Sequence, residues 1–329
     1  MLKSASYFAA LLGLAAIVVL SQRQGVADIA GLLQHAGPPL LLLVPFHALP
    51  LLLDAMGWRV LVAVHDPQRR AGLPYLFWAS SIREAVARLL PLASVGGELV
   101  GIRLAMQRGI DGARASAGIV VQLLLSIGNQ LLFALLGLGL VLLQPGTTTL
   151  AQHIGLGLLL SAPLPLLGLL ALRHGRLFER AHRILGRVVG NSLQARLRLD
   201  GAALDDSIRG YLRQPRVLLA AMAWEFAGLV VGSFENWIAL RPLGQPVGLL
   251  TALSLEAATQ AARHLFFMMP AGLGVQEAGL LLVGPLLGVP ADDALALSLC
   301  KRLRDLLFGV PALLSWPLLE RRAQARDRH

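Results

Sequence analysis

Apolar residues run along this chain in long unbroken stretches, and polar residues arrive in clusters between them. A helix needs about 20 consecutive apolar residues to cross a bilayer. That length predicts crossing helices near residues 5–21, 38–64, 115–143, 150–172, 217–240 and 293–318. The second carries Pro45 and Pro50, which a membrane helix tolerates where neighbours satisfy the freed backbone groups. Barrel strands would alternate apolar and polar positions, a pattern that runs such as Pro38–Leu43 and Ile154–Leu160 exclude. The first span follows Lys3, and Ser21–Gln24 lacks a small-x-small cleavage site, so it reads as uncleaved.

Two stretches break this pattern. Residues 73–107 are interrupted by Pro91, Gly96 and Gly97 and contain Glu84, Arg88, Glu98 and Arg103. Residues 248–289 are interrupted by Pro270, Gly272 and Gly274 and contain Glu256, Arg263, His264 and Glu277. Each half is short for a crossing and carries ions that lipid excludes. Irregular backbone survives at membrane depth only inside protein or along a wet cavity. Both stretches therefore predict broken, re-entrant helical hairpins.

The hairpins overlay. Pro91 falls on Pro270, Glu98 on Glu277, Gly109 on Gly288, Ala115 on Ala294 and Ala117 on Ala296. Gln122 and Ser126 then fall on Lys301 and Asp305, so the next helix is polar on the same face in both copies. Three predicted spans separate the hairpins, so the second enters from the opposite side. Inverted repeats with discontinuous helices near the midplane are a transporter pattern. The expected fold is an all-α polytopic membrane protein of six crossing helices and two re-entrant hairpins in an inverted repeat. Residues 1–329 form one integral membrane domain, with halves at 1–172 and 217–329 and an arginine-rich cytoplasmic linker at 173–216.

Composition narrows the class. Apolar residues make up 56% and charged residues 15%, against about 25% charged in soluble domains, so disorder and ordinary solubility are excluded. The net charge is +10, and all but Lys3 and Lys301 of the 29 basic residues are arginine. In a soluble chain that surplus would point to nucleic acid; here it sets topology, because positive loops stay cytoplasmic. With both termini cytoplasmic, Arg69, Arg70, Arg108, Arg114, Arg321, Arg322 and the 173–216 arginines share one side. Arg23 and Arg241 alone fall outside. The lone Cys300 excludes a disulfide framework and reads as a small apolar filler.

Ionisable residues inside a membrane mark pathways or pair with each other. Glu84 and Arg88 have i, i+4 spacing, and Glu256, Gln260 and Arg263 form a helical stripe beside His264. Lys301, Arg302, Arg304 and Asp305 cluster on the last helix; Lys301 and Asp305 have pairing distance, leaving Arg302 and Arg304 for an anionic group. Gln122, Ser126, Asn129 and Gln130 offer a polar face, and Glu225 and Glu235 lie on the 217–240 helix. The hairpin turns would restart helices whose N-terminal N–H groups suit phosphate or carboxylate. Glu98 and Glu277 are then capping groups or ion carriers. Asp205-Asp206 and Asp292-Asp293 read as helix N-terminal acids. No metal-ligand spacing, nucleophile elbow, P-loop or dinucleotide fingerprint is present in the sequence. No cofactor or metal is expected.

Finally, "LLPLASVGGE" (89–98), "PAGLGVQEAG" (270–279) and "ALSLCKRLRD" (296–305) resemble the flippase-like membrane domain of lysylphosphatidylglycerol synthases and its stand-alone relatives. "FHALPLLLDAMGWR" (46–59) and "SFENWIALRPLGQPVGLLTALSLE" (233–256) are similar to the hopanoid-biosynthesis-associated branch. The resemblance implies lipid translocation in a bacterial inner membrane. It implies membrane lipids as partners, with hopanoid-biosynthesis or lipid-modifying enzymes beside them and no nucleic acid. Self-association stays open. No lysyltransferase domain accompanies these motifs, so aminoacyl-lipid synthesis is not implied. On this reading Glu84, Arg88, Glu98, Gln122, Glu256, Gln260, Arg263, His264, Glu277, Lys301, Arg302, Arg304 and Asp305 line a substrate path. Two alternatives remain: a membrane enzyme acting on a polyisoprenoid or phospholipid, and a non-transporting scaffold.

Overall fold

The apolar runs fold as helices. A computed structural model describes residues 37–90, 95–142, 163–174, 178–179, 201–265 and 275–326. After a 3-10 turn at Pro38–Leu42 come α1 (Leu43–Ala63), α2 (Leu73–Leu89), α3 (Val95–Met106), α4 (Gly112–Leu142) and α5 (Pro163–His174). Next are α6 (Gly201–Leu212), α7 (Pro215–Leu240), α8 (Leu249–Leu265), α9 (Val275–Val283), a 3-10 turn at Pro285–Leu287 and α10 (Ala291–Arg326). No strand occurs among the described residues. The fold is all-α, as expected of a polytopic membrane protein.

Sequence punctuation accounts for several boundaries. Pro74 and Pro215 sit in the first turns of α2 and α7, where a missing N–H costs no helical bond. Gly109 and Gly288, paired in the repeat, both take φ 79° in the turns before α4 and α10. Only glycine adopts that left-handed geometry without steric cost.

Among the described residues, three helices are long and apolar enough to cross a membrane: Pro39–Ala63, Gly112–Leu140 and Pro215–Leu240. They match three of the predicted spans. The span expected at 293–318 lies in α10, whose Lys301, Arg302, Arg304 and Asp305 make it far less apolar. The span at 5–21 and most of that at 150–172 lie outside the described residues. Exposed leucines on the bundle's outer surface, among them Leu99, Leu219, Leu250 and Leu314, suit a lipid solvent better than water.

Each predicted hairpin holds two described helices, α2 and α3 in the first and α8 and α9 in the second. With 1.5 Å of rise per residue, the 17 residues of α2 and α8 and the 12 and nine of α3 and α9 are each short for a full crossing. Pro91, Pro270, Gly272 and Gly274 lie outside the described residues. Gly96 and Gly97 do not form a turn; they lie inside the first turn of α3. A Cβ on Gly97 would come within 2.6 Å of the Arg83 carbonyl oxygen and 3.3 Å of Ala87 Cβ. Gly97 is small so that α3 can press against α2. Gly279 does the same for α9, where a Cβ would meet Ala262 Cβ at 3.1 Å. Small residues at such crossings let membrane helices approach closely.

The packing has a two-fold pattern wider than the sequence overlay. Within one set, α1 packs on α2, α2 on α3 and α3 on α4; within the other, α7 packs on α8, α8 on α9 and α9 on α10. Across the sets the partners exchange. Hairpin arm α2 lies on α10, arm α8 lies on α4, and α1 and α7 lie on each other. The α1–α7 contact is close at Gly57 and Gly228, where a Cβ would come within 3.1 Å of the Ala221 and Pro50 carbonyl oxygens respectively.

The 201–212 part of the arginine-rich segment is a docked helix. Ile208 and Tyr211 of α6 are buried, and the Tyr211 hydroxyl donates to the Leu61 carbonyl at 3.0 Å. Asp205 is not an acid of its own helix start: its carboxylate accepts from the N–H groups of Phe178 and Glu179 at 3.3 and 2.9 Å. Asp292 and Asp293 do stand in the first turn of α10.

Candidate functional site

Four charged side chains on α10 reach four directions. Lys301 pairs with Glu256 of α8, and Arg302 pairs with Glu277 of α9. Arg304 pairs with Glu235 of α7, and Asp305 faces Arg88 of α2 at 3.6 Å. Spacing of 100° per residue turns successive side chains around the helix, so one short stretch can address every neighbour. Three of these pairs stay within the α7–α10 set, and Asp305–Arg88 crosses to the other set, where α2 lies on α10.

The densest cluster forms around His47, one turn into α1 and 6% exposed. Its Nε2 lies 2.9 Å from Glu84 Oε2 on α2, and its Nδ1 lies 2.8 Å from Glu235 Oε1 on α7. An Arg304 guanidinium nitrogen also lies 2.8 Å from Nδ1. Glu84 Oε1 accepts from Arg88 Nε at 2.6 Å, and Arg304 bridges to Asp305 at 2.7 Å. Phe308 meets the imidazole edge-on, with centroids 5.1 Å apart. Three carboxylates thus face two guanidiniums and one imidazole, on four helices.

The same α10 face continues into a second cluster. Glu256 also accepts from Asn236 Nδ2 at 3.3 Å and from Gln260 Nε2 at 3.1 Å. Ser298 donates to Glu277 at 3.1 Å. In the first set of helices, Arg83 of α2 binds Glu98 of α3 at 2.7 Å and Gln122 of α4 at 3.0 Å. Its guanidinium also lies 4.6 Å over the Trp58 ring. Glu225 of α7 stands apart: Ser126 and Asn129 donate to Oε2 at 3.2 and 3.3 Å.

Several sequence expectations change here. Glu84 and Arg88 do pair, and Glu256 and Gln260 do bond. Lys301 and Asp305 do not pair with each other, because carboxylate and guanidinium groups on α8 and α2 sit closer to each than its own helical neighbour. Arg302 and Arg304 are not left for an external anion; Glu277 and Glu235 neutralise them. Glu98 and Glu277 lie in the first turns of α3 and α9, with their carboxylates committed to arginines. Arg263 and His264 belong to the end of α8, and their side chains lie outside the described residues. Two participants were absent from the expected path, His47 and Arg83, and Glu235 was named only as a helix position. An ionisable residue amid an apolar run was the available signal for all three.

The model of a family described as lysylphosphatidylglycerol synthase TM region matches residues 7–312. The chain belongs to this family. The match takes in every residue of the charged clusters. Membership makes this a membrane protein with a lipid-related function, consistent with its apolar spans. No curated protein and no solved structure matches the chain.

Proposed function

We propose that the chain moves a lipid, phospholipid or hopanoid-related, across or within the bacterial inner membrane. The observation that carries this reading is the exchange of partners between the two sets of helices, crossed by the Arg88–Asp305 and His47–Glu235 contacts. Sliding α2 along α10, or α1 along α7, would break and remake those contacts, which is how an alternating-access seam works. On this reading the hairpins enter from opposite faces and the termini are cytoplasmic. Arg302 and Glu277 are each 17% exposed, against 5% for Lys301 and 6% for Arg304. A headgroup phosphate would displace Glu277 from Arg302, a bidentate exchange that guanidinium geometry favours.

Reconstituted protein should speed leaflet exchange of labelled lipids in liposomes without added co-substrate. Arg302→Gln should slow it by about tenfold, a barrier change of about 1.4 kcal/mol, while the protein still inserts. Wild-type protein that leaves leaflet exchange unchanged would remove the transport reading. The pairing of Lys301, Arg302 and Arg304 favours a second reading, a static scaffold held by ionic clasps. A scaffold predicts that Arg302→Gln lowers detergent stability and leaves nothing in the lipid assay to lose.

A further inference from the structure

His47 has two nitrogens and three charged claimants. Nδ1 lies 2.8 Å from a Glu235 carboxylate oxygen and 2.8 Å from an Arg304 guanidinium nitrogen. Toward Glu235 it must carry a proton and donate. Toward Arg304, which can only donate, it must present a lone pair. It cannot do both. Nε2 faces Glu84 Oε2 at 2.9 Å and donates in either case.

These contacts define two states. As imidazolium, His47 donates to both Glu84 and Glu235, and Arg304 keeps Glu235 and Asp305 as acceptors. His47, Arg88 and Arg304 then balance Glu84, Glu235 and Asp305. As a neutral ring protonated on Nε2, His47 accepts from Arg304, and the cluster carries one net negative charge. One proton therefore changes both the hydrogen-bond partner of Arg304 and the charge of a low-dielectric site, where such a change is felt strongly. The facing groups are Glu84 and Arg88 from α2, Glu235 from α7, and Arg304, Asp305 and, further along, Lys301 from α10. On α1 itself Asp54 lies two turns beyond. Side-chain exposure falls from 28% at Arg88 and 20% at Glu84 to 8% at His47 and 4% at Glu235, a graded way in for a proton.

We propose that His47 is the proton-binding site of this membrane domain, and that its occupancy switches Arg304 between partners so that lipid movement is coupled to proton uptake. The coupling rests on the transport reading above; the proton site does not. A proton joins Nδ1 and leaves it again, and no other covalent bond changes.

Two measurements on the full chain test this. In the first, nitrogen-labelled histidine is followed by NMR in lipid across roughly pH 5–8, the range in which imidazole changes charge. One Nδ1 resonance should shift between protonated and bare positions, and it should vanish in both His47→Gln and His47→Lys. Using two variants covers the case where one fails to insert. A His47 resonance that holds one state across the range overturns the proposal whatever transport does. In the second, leaflet exchange is measured in liposomes with and without an inward proton gradient. The wild-type rate should change several-fold with the gradient, and both variants should lose that response. A gradient response that survives in either inserted variant overturns the coupling. Titration of His47 with no lipid movement by wild-type protein would remove the transport reading and the coupling together, leaving the proton site standing.

Discussion

Lys301 shows what a buried ion pair does in this protein. Its side chain is 5% exposed and its ammonium rests on Glu256, whose side chain is 12% exposed. Removing one partner of such a pair strands the other charge and costs about 3–5 kcal/mol, whereas replacing both with apolar groups is often nearly neutral. Lys301→Met should therefore lower the melting temperature in detergent sharply, and Lys301→Met combined with Glu256→Met should recover most of the loss. A double variant as unstable as the single would show that Glu256 has no dependence on Lys301. The sequence displayed which residues were ionic but not whom they meet. Spacing of i, i+4 names partners on one helix, so it found Glu84–Arg88 and suggested Lys301–Asp305. Lateral partners depend on helix rotation and tilt, so Arg304–Glu235 and His47–Glu84 needed the folded bundle. His47 was hidden further because one histidine in an apolar run has no motif around it.

At the scale of elements, glycine spacing separates helix contacts from helix breaks. Gly96-Gly97 looked like a break because two adjacent glycines weaken a helix. In the fold they lie in α3, and Gly97 faces the backbone of α2 with no room for a side chain. Gly128 of α4 has open space where a Cβ would go. Gly97→Val should therefore destabilise by about 1–3 kcal/mol, the usual overpacking cost, and loosen the Arg83–Glu98 bridge. Gly128→Val should do far less. Thermal melts of the two variants side by side check this, and equal losses would mean that the α2–α3 approach does not depend on Gly97. Helix existence was legible where apolar runs are long, since α1, α4 and α7 each follow one and the boundary prolines mark α2 and α7. The role of α6 was not: an arginine-rich stretch gave no sign that Ile208 and Tyr211 would be buried against α1 and α4.

Across the whole molecule, the basic residues of the Arg69–Arg70 loop and the α3–α4 turn gather at one end of the bundle. Arg108 lies over the Tyr75 ring at 3.7 Å, and Arg70 closes on Gly109, where a Cβ would come within 2.7 Å of its guanidinium. Tyr211 anchors α6 to Leu61, near the end of α1. The Arg69–Arg70 loop, the α3–α4 turn and α6 therefore share a side. At the opposite end, Leu40 and Leu43 pack with Leu240, Leu255 and Leu287 beside Arg241. Retention of basic loops in the cytoplasm then predicts an orientation. Residues 201–214 should face the cytoplasm and residues 241–247 the outside. Single cysteines at Asp206 and Gln245, in a chain whose buried Cys300 is replaced by serine, test both at once. In intact cells an impermeant thiol reagent should label position 245 only, and permeabilised cells should add position 206. Labelling of position 206 in intact cells would reverse the orientation. It would also place the Arg69–Arg70 loop outside, because α6 is fixed to that end by the Tyr211–Leu61 bond.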